Sequence, residues 1–136
     1  MNFVLDASVA LSWCFEDEGD DYAVGVLDAL RTSEAVVASQ WPLEMSNGLV
    51  VAERRGRIDG AGAARFMELV LSLPIVVDPV SRSRAFNVTH ALARTHGLSA
   101  YDAAYLDVAL RQGVSLATLD ARLRSAAAAE GVPLFG

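Results

Sequence analysis

Four acidic residues stand where a predicted strand ends or a predicted helix begins: Asp6, Glu44, Asp102 and Asp120. Asp6 directly follows the apolar run Phe3-Val4-Leu5, and Asp120 comes shortly after the run 114–117. Short apolar runs of this kind predict buried strands. In open parallel sheets, ligands bind outside the carboxyl ends of the strands. We therefore expect Asp6 and Asp120 to lie near one another at that edge.

The other two acids are predicted to lie in the first turns of helices. Pro42 suits a first helical position, which puts Glu44 in the first turn just after the second predicted strand. Asp102 follows Ser99 by three residues, the spacing of a helix capping box. If both helices start at the same sheet edge, all four carboxylates converge on one crevice.

Each acid also has an ordinary structural explanation. Asp120 is a good N-cap, Asp6 or Ser8 could cap the following helix, and Glu44 complements a helix dipole. A cap contributes about 0.5 to 2 kcal/mol, which is enough to account for any one of these acids taken singly. Four carboxylates together in a partly dry pocket repel one another, and without a cation some of them must take up protons.

A hard divalent ion removes that repulsion, and Mg²⁺ is held by carboxylate oxygens together with waters and substrate phosphates. The expected chemistry is metal-assisted hydrolysis of a phosphodiester. A phosphatase with an aspartyl nucleophile is less favoured, because the position two residues after Asp6 is Ser8 where that mechanism wants a second acid.

The amino-acid composition excludes several classes of protein and kinds of site. The chain has 136 residues and a formal net charge of −6, so we expect one domain whose surface as a whole repels nucleic acid. All 11 basic residues are arginines, which excludes a Walker A loop, a Schiff-base enzyme and a lysine-dependent receiver domain. A single cysteine, Cys14, excludes an intramolecular disulfide and a cysteine-rich zinc site.

The sequence shows no signal peptide and no run of apolar residues long enough to span a membrane, so we expect a cytoplasmic protein that does not contact membranes. His90 and His96 are predicted to lie on helix surfaces. With no cysteine or second histidine beside either of them, the sequence does not support a zinc site.

Strands are predicted to alternate with helices, which indicates an α/β domain with a mostly parallel sheet of about five strands. The predicted strands are 3–5, 35–38, 75–77, 114–117 and a short edge strand at 132–134. The predicted helices are 21–30, 42–57, 61–73, 84–95, 100–112 and 121–130. Gly113 and Gly131 are expected to end the last two helices.

The sequence resembles the PIN-domain ribonucleases, and within them the VapC toxins of toxin-antitoxin pairs. The resemblance spans essentially the whole chain, and it depends on the order and spacing of several short strings. These strings are Val4-Leu5-Asp6-Ala7-Ser8-Val9, Glu44-Met45-Ser46-Asn47-Gly48-Leu49, Ser99-Ala100-Tyr101-Asp102-Ala103-Ala104-Tyr105-Leu106 and Thr118-Leu119-Asp120-Ala121-Arg122-Leu123.

The resemblance implies a single PIN-like nuclease domain over residues 1–136, with three α/β/α layers and the strand order 3-2-1-4-5. It also implies an endoribonuclease that depends on Mg²⁺ or Mn²⁺, cleaves RNA and inhibits translation. The implied partners are a VapB-type antitoxin and a second copy of the chain, and DNA would be contacted only through the antitoxin. An antitoxin arm that places an arginine among the carboxylates is one hypothesis for inhibition.

The resemblance also implies roles for individual residues. Asp6 and Asp102 match the most regular metal ligands of the family, Glu44 its second acid, and Asp120 a fourth acid that acts through water or a second ion. Three polar residues match positions beside these acids in the family: Ser8, Asn47 and Thr118. Ordinary turn or helix polarity explains these three equally well.

Two features lie outside this pattern. The family usually has a small or variable residue at the position of Asp107, so we predict that Asp107 is a solvated surface residue pointing away from Asp102. Arg82 and Arg84 form a local positive cluster, which either contacts RNA phosphates or is simply a solvated face. The alternative to a nuclease is a non-catalytic α/β binding or regulatory module.

Overall fold

The structure is a computed structural model that describes residues 2–15, 18 and 20–136. It has the predicted α/β architecture. The strands form one parallel sheet in the order β3-β2-β1-β4. The strands are β1 (Asn2–Leu5), β2 (Glu34–Ala38), β3 (Ile75–Asp78) and β4 (Ser115–Ala117).

Helices connect the strands, and the inner strands β1 and β2 are buried on both faces. In the described residues the helices are α1 (Ala7–Ser12), α2 (Asp21–Ala29), α3 (Trp41–Arg54), α4 (Gly60–Ser72), α5 (Arg82–Arg84), α6 (His90–His96), α7 (Ala100–Gln112) and α8 (Ala121–Ala129). A π-helical stretch, Ala85–Thr89, joins α5 to α6. The predicted helix 84–95 therefore corresponds to three consecutive pieces, and α1 is the helix expected to follow Asp6, whose bounds were not predicted.

The predicted fifth strand at 132–134 is reduced to an isolated parallel bridge between Leu116 and Leu134. The backbone N–H of Leu116 donates to the Pro133 carbonyl at 3.0 Å, and the N–H of Phe135 donates to the Leu116 carbonyl at 2.9 Å. Proline has no backbone N–H, so it cannot extend the ladder. The prediction of a fifth strand in the order 3-2-1-4-5 is therefore correct in position but wrong in extent.

The core lies around β1 and α7. Phe3, Val4 and Leu5 are all fully buried although successive side chains of a strand point to opposite faces, which shows that both faces of β1 are covered. In α7 every residue from 103 to 109 is buried. Gly113 ends α7 in the left-handed conformation with φ 66°, as predicted from its position.

The prediction that Asp107 is solvated is wrong. Its side chain is buried, and it accepts hydrogen bonds from the Arg84 guanidinium, the shortest at 2.7 Å, and from Arg111 Nε at 3.1 Å. The spacing from Asp102 does turn Asp107 to another side of α7, but that side packs against the π-helical stretch and so is not open to solvent. Arg84 is thus occupied by an ion pair within the protein.

Arg111 extends this pairing to β3. Its guanidinium donates to both carboxylate oxygens of Asp78, at 2.9 and 3.3 Å. The predicted surface position of His96 also needs correction, because its Nε2 lies 2.7 Å from Glu130 Oε2 and only 13% of its side chain is exposed. Every helix in the described part of the chain is too short or too polar to span a lipid bilayer.

Candidate active site

The parallel register of β1 and β4 brings Asp6 beside Thr118. Leu5 pairs with Ala117, and the backbone N–H of Asp6 donates to the Ala117 carbonyl at 3.0 Å. The residues that follow these two, Asp6 and Thr118, therefore leave the sheet at the same edge. This pairing joins positions that are 112 residues apart in the sequence.

The Asp6 carboxylate is held by two hydroxyl groups. Ser8 Oγ and Thr118 Oγ1 each donate to Asp6 Oδ2 at 2.7 Å, and Asp6 is 3% exposed. Asp6 is the N-cap residue of α1, but its side chain makes no capping hydrogen bond. Among the described residues no group donates to its other oxygen, Oδ1. Helix capping therefore does not explain this acid.

Each of these hydroxyls also accepts a backbone N–H. Leu119 donates to Ser8 Oγ at 3.2 Å, and Asp120 donates to Thr118 Oγ1 at 3.0 Å. A hydroxyl has one proton, and these two hydroxyls give theirs to Asp6. The β4–α8 loop thereby fixes the orientation of Asp6.

Asp120 does serve as a helix cap. It is the N-cap residue of α8, and its Oδ1 accepts the backbone N–H of Leu123 at 2.9 Å. A carboxylate has about four acceptor positions, so this bond leaves Asp120 able to take another partner. Its structural role and a role at the site are compatible.

Glu44 lies in the first turn of α3, which starts three residues after the end of β2. The Tyr105 hydroxyl donates to Glu44 Oε1 at 2.8 Å. Burial raises the pKa of Glu44, and the negative charge of Asp6 adds to that rise, while Tyr105 and Gln40 oppose it. Burial raises the pKa of Tyr105, and the negative charges of Glu44 and Asp6 raise it further, so the Tyr105 hydroxyl keeps its proton.

Asp102 lies in the first turn of α7, where its backbone N–H donates to Ser99 Oγ at 3.0 Å. This bond confirms half of the capping box that the spacing predicts. Burial raises the pKa of Asp102 to about 6, helped by the charges of the other three acids: Asp6, Asp120 and Glu44. Asp6, Asp120 and Glu44 therefore each lie within electrostatic reach of Asp102.

In the described residues, none of these four acids forms an ion pair with an arginine or a histidine. The contrast with other acids of the chain is clear, because Asp107 and Asp78 are both neutralised by arginines. The negative charge at the carboxyl edge of β1 and β4 is therefore uncompensated by the described part of the protein.

A divalent ion fits this donor set by its chemistry. As the side chains stand, the described residues contain no group of three or more acidic, histidine or cysteine side chains arranged to hold a metal ion. Mg²⁺ keeps several waters and is commonly held by one or two carboxylates, so a three-ligand cage is not required. Asp6 Oδ1 and the remaining oxygens of Asp102, Asp120 and Glu44 are the oxygen ligands that such an ion prefers.

Of the three polar residues expected beside the acids, the structure shows two in direct contact with an acid. Ser8 and Thr118 contact Asp6 directly. Asn47 is exposed on α3 and makes no hydrogen bond to another described residue, so its place in the crevice stays a prediction. Sequence reasoning missed Tyr105 as a partner of Glu44. The one available signal was a polar hydroxyl within a buried helix, which must find an acceptor.

Comparisons with known proteins add two findings about sequence. The PIN domain family matches residues 3–129 of the chain. The search of curated proteins finds no match to the sequence.

Solved structures share the fold. PAE2754 from Pyrobaculum aerophilum is 23% identical with a TM-score of 0.72, over 93% of this chain and 84% of that one. VapBC2 from Rickettsia felis, solved with a DNA fragment from its promoter, is 12% identical with a TM-score of 0.68, over 99% and 98%. The sarcin-ricin loop cleaving toxin VapC20 from Mycobacterium tuberculosis is 16% identical with a TM-score of 0.65, over 91% and 94%. At these identities the likeness is one of fold.

Proposed function

Because the match over residues 3–129 means that this chain belongs to the PIN-domain family, we propose that it is a VapC-type toxin, an endoribonuclease that requires Mg²⁺ or Mn²⁺. It hydrolyses RNA phosphodiester bonds and thereby inhibits translation. The similarity of fold to VapC20, a sarcin-ricin loop cleaving toxin, supports this reaction class.

One observation carries the proposal. Four carboxylates lie within electrostatic reach at one sheet edge, and no described arginine or histidine pairs with any of them. Such a cluster raises the free energy of the folded chain unless a cation binds to it. A chain that retains this unpaired charge next to paired acids such as Asp107 is arranged to bind a cation from outside.

Asp6 and Asp102 would hold the ion, with Glu44 and Asp120 contributing directly or through water. When bound, Mg²⁺ or Mn²⁺ would orient and activate the attacking water and neutralise the charge that develops on the phosphate. Ser8 and Thr118 keep Asp6 in a single orientation through Oδ2, which leaves Oδ1 for the ion. Asn47, which is exposed, would lie near the RNA phosphate, whereas Ser8 and Thr118 would act on the reaction through the orientation of Asp6.

The same charge suits a protein inhibitor. We propose a VapB-type antitoxin as partner, in line with the fold likeness to VapBC2, and a homodimer as the working form. A basic segment of the antitoxin would neutralise the four acids as the metal does. Contact with DNA would come only through the antitoxin, and inhibition of translation places the toxin in the cytoplasm.

The test of the reaction is Asp6→Asn. Purified protein with millimolar Mg²⁺ or Mn²⁺ should cleave a structured RNA, and this variant should lower the rate at least about 100-fold because it removes charge at the proposed ion. Asparagine keeps an oxygen that can accept from Ser8 and Thr118, so the fold should persist. Expression in a bacterial host should then no longer arrest growth.

The matched control is Asp28→Asn, which changes an exposed acid whose ion pair in the described part of the chain is with Arg31 on the surface. It should cleave RNA and arrest growth as the unmodified protein does. A non-catalytic module would give no metal-dependent cleavage with any variant. An Asp6→Asn variant as active as Asp28→Asn would contradict the proposed site.

A further inference from the structure

Helices α3 and α7 are joined at two successive turns, and both links lie beside the candidate site. Gln40, which precedes α3, donates from Nε2 to the Tyr101 carbonyl at 2.9 Å. One turn later, Glu44 accepts the Tyr105 hydroxyl at 2.8 Å. Asp102 lies between the two α7 residues, so these links fix Glu44 and Asp102 relative to each other.

The second link comes from an immobile group. Tyr105 is fully buried, and the neighbouring α7 residues 103–109 are all buried with it. A tyrosine ring in such packing has little freedom, so the direction in which its hydroxyl points is set by the core. Glu44 is only half-buried and has a flexible side chain that would otherwise sample several rotamers.

The hydrogen bond from Tyr105 occupies a small part of the acceptor capacity of the Glu44 carboxylate. Tyr105 donates to Oε1, and a carboxylate has about four acceptor positions in all. The interaction therefore orients the Glu44 carboxylate without using all of its acceptor positions. When a group that hydrogen-bonds to a metal ligand and orients it is removed, metal affinity or activity commonly falls 10- to 100-fold.

We propose that Tyr105 is a positioning residue of the acidic site, which holds the Glu44 carboxylate in the orientation that binds a divalent cation. The inference rests on the proposed function for the identity of the reaction. Its effect on cation binding is measurable without any RNA.

The test is Tyr105→Phe, which deletes the hydroxyl and keeps the buried ring. Mn²⁺ binding to the full chain is measured by calorimetry, and RNA cleavage is measured as kcat and KM separately. We expect Mn²⁺ affinity to fall about 10-fold and kcat to fall about 10-fold, with KM within about twofold of the unmodified value.

Thr89→Val is the matched control. Its hydroxyl is also buried and has no hydrogen-bond partner among the described residues, so this deletion should leave Mn²⁺ affinity and kcat unchanged. A double-mutant cycle with Glu44→Gln then separates positioning from general packing. If Tyr105 acts through Glu44, adding Tyr105→Phe to Glu44→Gln should change Mn²⁺ affinity and kcat by no more than about twofold.

The possible outcomes are distinct. Unchanged Mn²⁺ affinity and kcat in Tyr105→Phe would overturn the proposal. It would also be overturned if the fold-change in the double variant equalled the product of the fold-changes of Tyr105→Phe and Glu44→Gln. Mn²⁺ binding that is undetectable, or that Glu44→Gln leaves unaltered, would overturn it as well. Weakened Mn²⁺ binding in a chain that cleaves no RNA would support Tyr105 as a positioning residue and reject the nuclease function.

Discussion

An acid at the end of a strand can cap the next helix or bind a ligand, and the contacts of individual residues distinguish the two. Asp120 caps α8 through Oδ1, whereas the side chain of Asp6 caps nothing and is held by Ser8 and Thr118. A buried carboxylate that two hydroxyls orient, and whose other oxygen accepts from no described residue, is arranged for a ligand. At the scale of residues, Asp6 is the strongest evidence for a site.

Asp102 should make the metal-free protein less stable as the pH rises. Its pKa is about 6 in the fold against an ordinary value of 3.8, because burial and the neighbouring acids disfavour its ionised form. The folded state then binds more protons than the unfolded state between these values, so the free energy of unfolding falls from about pH 4 to about pH 6 and stays low above. Below about pH 4 both states are protonated and the penalty is absent.

Asp102→Asn should remove that penalty. We expect the variant to be more stable than the unmodified chain by roughly 1 kcal/mol at pH 7.5, a value reduced for solvent screening of a half-exposed group, and equally stable at pH 4. Urea unfolding in the presence of a chelator at the two pH values measures this. The surface variant Asp28→Asn should show no such pH dependence. An equal gain for Asp102→Asn at both pH values would rule out charge repulsion as the cause.

At the scale of elements, a network of ion pairs fixes α7, the helix that carries Asp102 and Tyr105. Asp107 on α7 is paired with Arg84 of α5, and Arg111 joins it to Asp78 at the end of β3. Burial raises the pKa of Asp78, but hydrogen bonds from Arg111 and Gln112 outweigh that effect and lower it overall. These pairs anchor one side of α7 while its N-terminal turn faces the acids.

Breaking the network should cost far more than breaking a surface pair. Arg84→Met leaves the fully buried Asp107 with Arg111 as its ion-pair partner among the described residues, and we expect a clear loss in the free energy of unfolding. The control, Arg31→Met, breaks an exposed pair with Asp28 and should cost less than about 0.5 kcal/mol. Urea unfolding at pH 7 compares them, and equal losses would show that the buried network adds no stability.

At the scale of the whole molecule, the sheet order decides where the negative charge accumulates. β1 and β4 are neighbours in the order β3-β2-β1-β4, so acids from opposite ends of the chain meet at one edge. The chain has a net charge of −6, and four of its acids stand together at this edge without arginine partners among the described residues. A cation bound there should stabilise the whole domain because it favours the folded state alone.

Millimolar Mn²⁺ should therefore raise the melting temperature of the protein. A concentration 100 times the dissociation constant adds about 2.7 kcal/mol to the free energy of unfolding, which corresponds to a rise of several degrees for a domain of this size. Differential scanning calorimetry with and without Mn²⁺ measures the rise. Asp6→Asn should abolish most of it, and Asp28→Asn should not. The same rise in all three proteins would mean that Mn²⁺ binds elsewhere.

Local sequence patterns were enough to predict the class of fold and the position of each of the four acids relative to its own strand or helix. Apolar runs, Pro42 and glycines such as Gly113 act locally, so they can be read along the chain without knowledge of what packs against what. The capping roles of Ser99 and Asp120 were predictable for the same reason, since each involves a residue only three positions away.

Contacts between side chains that are far apart in the sequence depend on how the strands and helices pack together. The bond between Thr118 and Asp6 follows from the β1–β4 register, and the bond between Tyr105 and Glu44 follows from the packing of α7 beside α3. The burial of Asp107 against Arg84 was misjudged because it depends on which helix covers that side of α7. Pairings of this kind are set by how elements pack, and no local pattern encodes them.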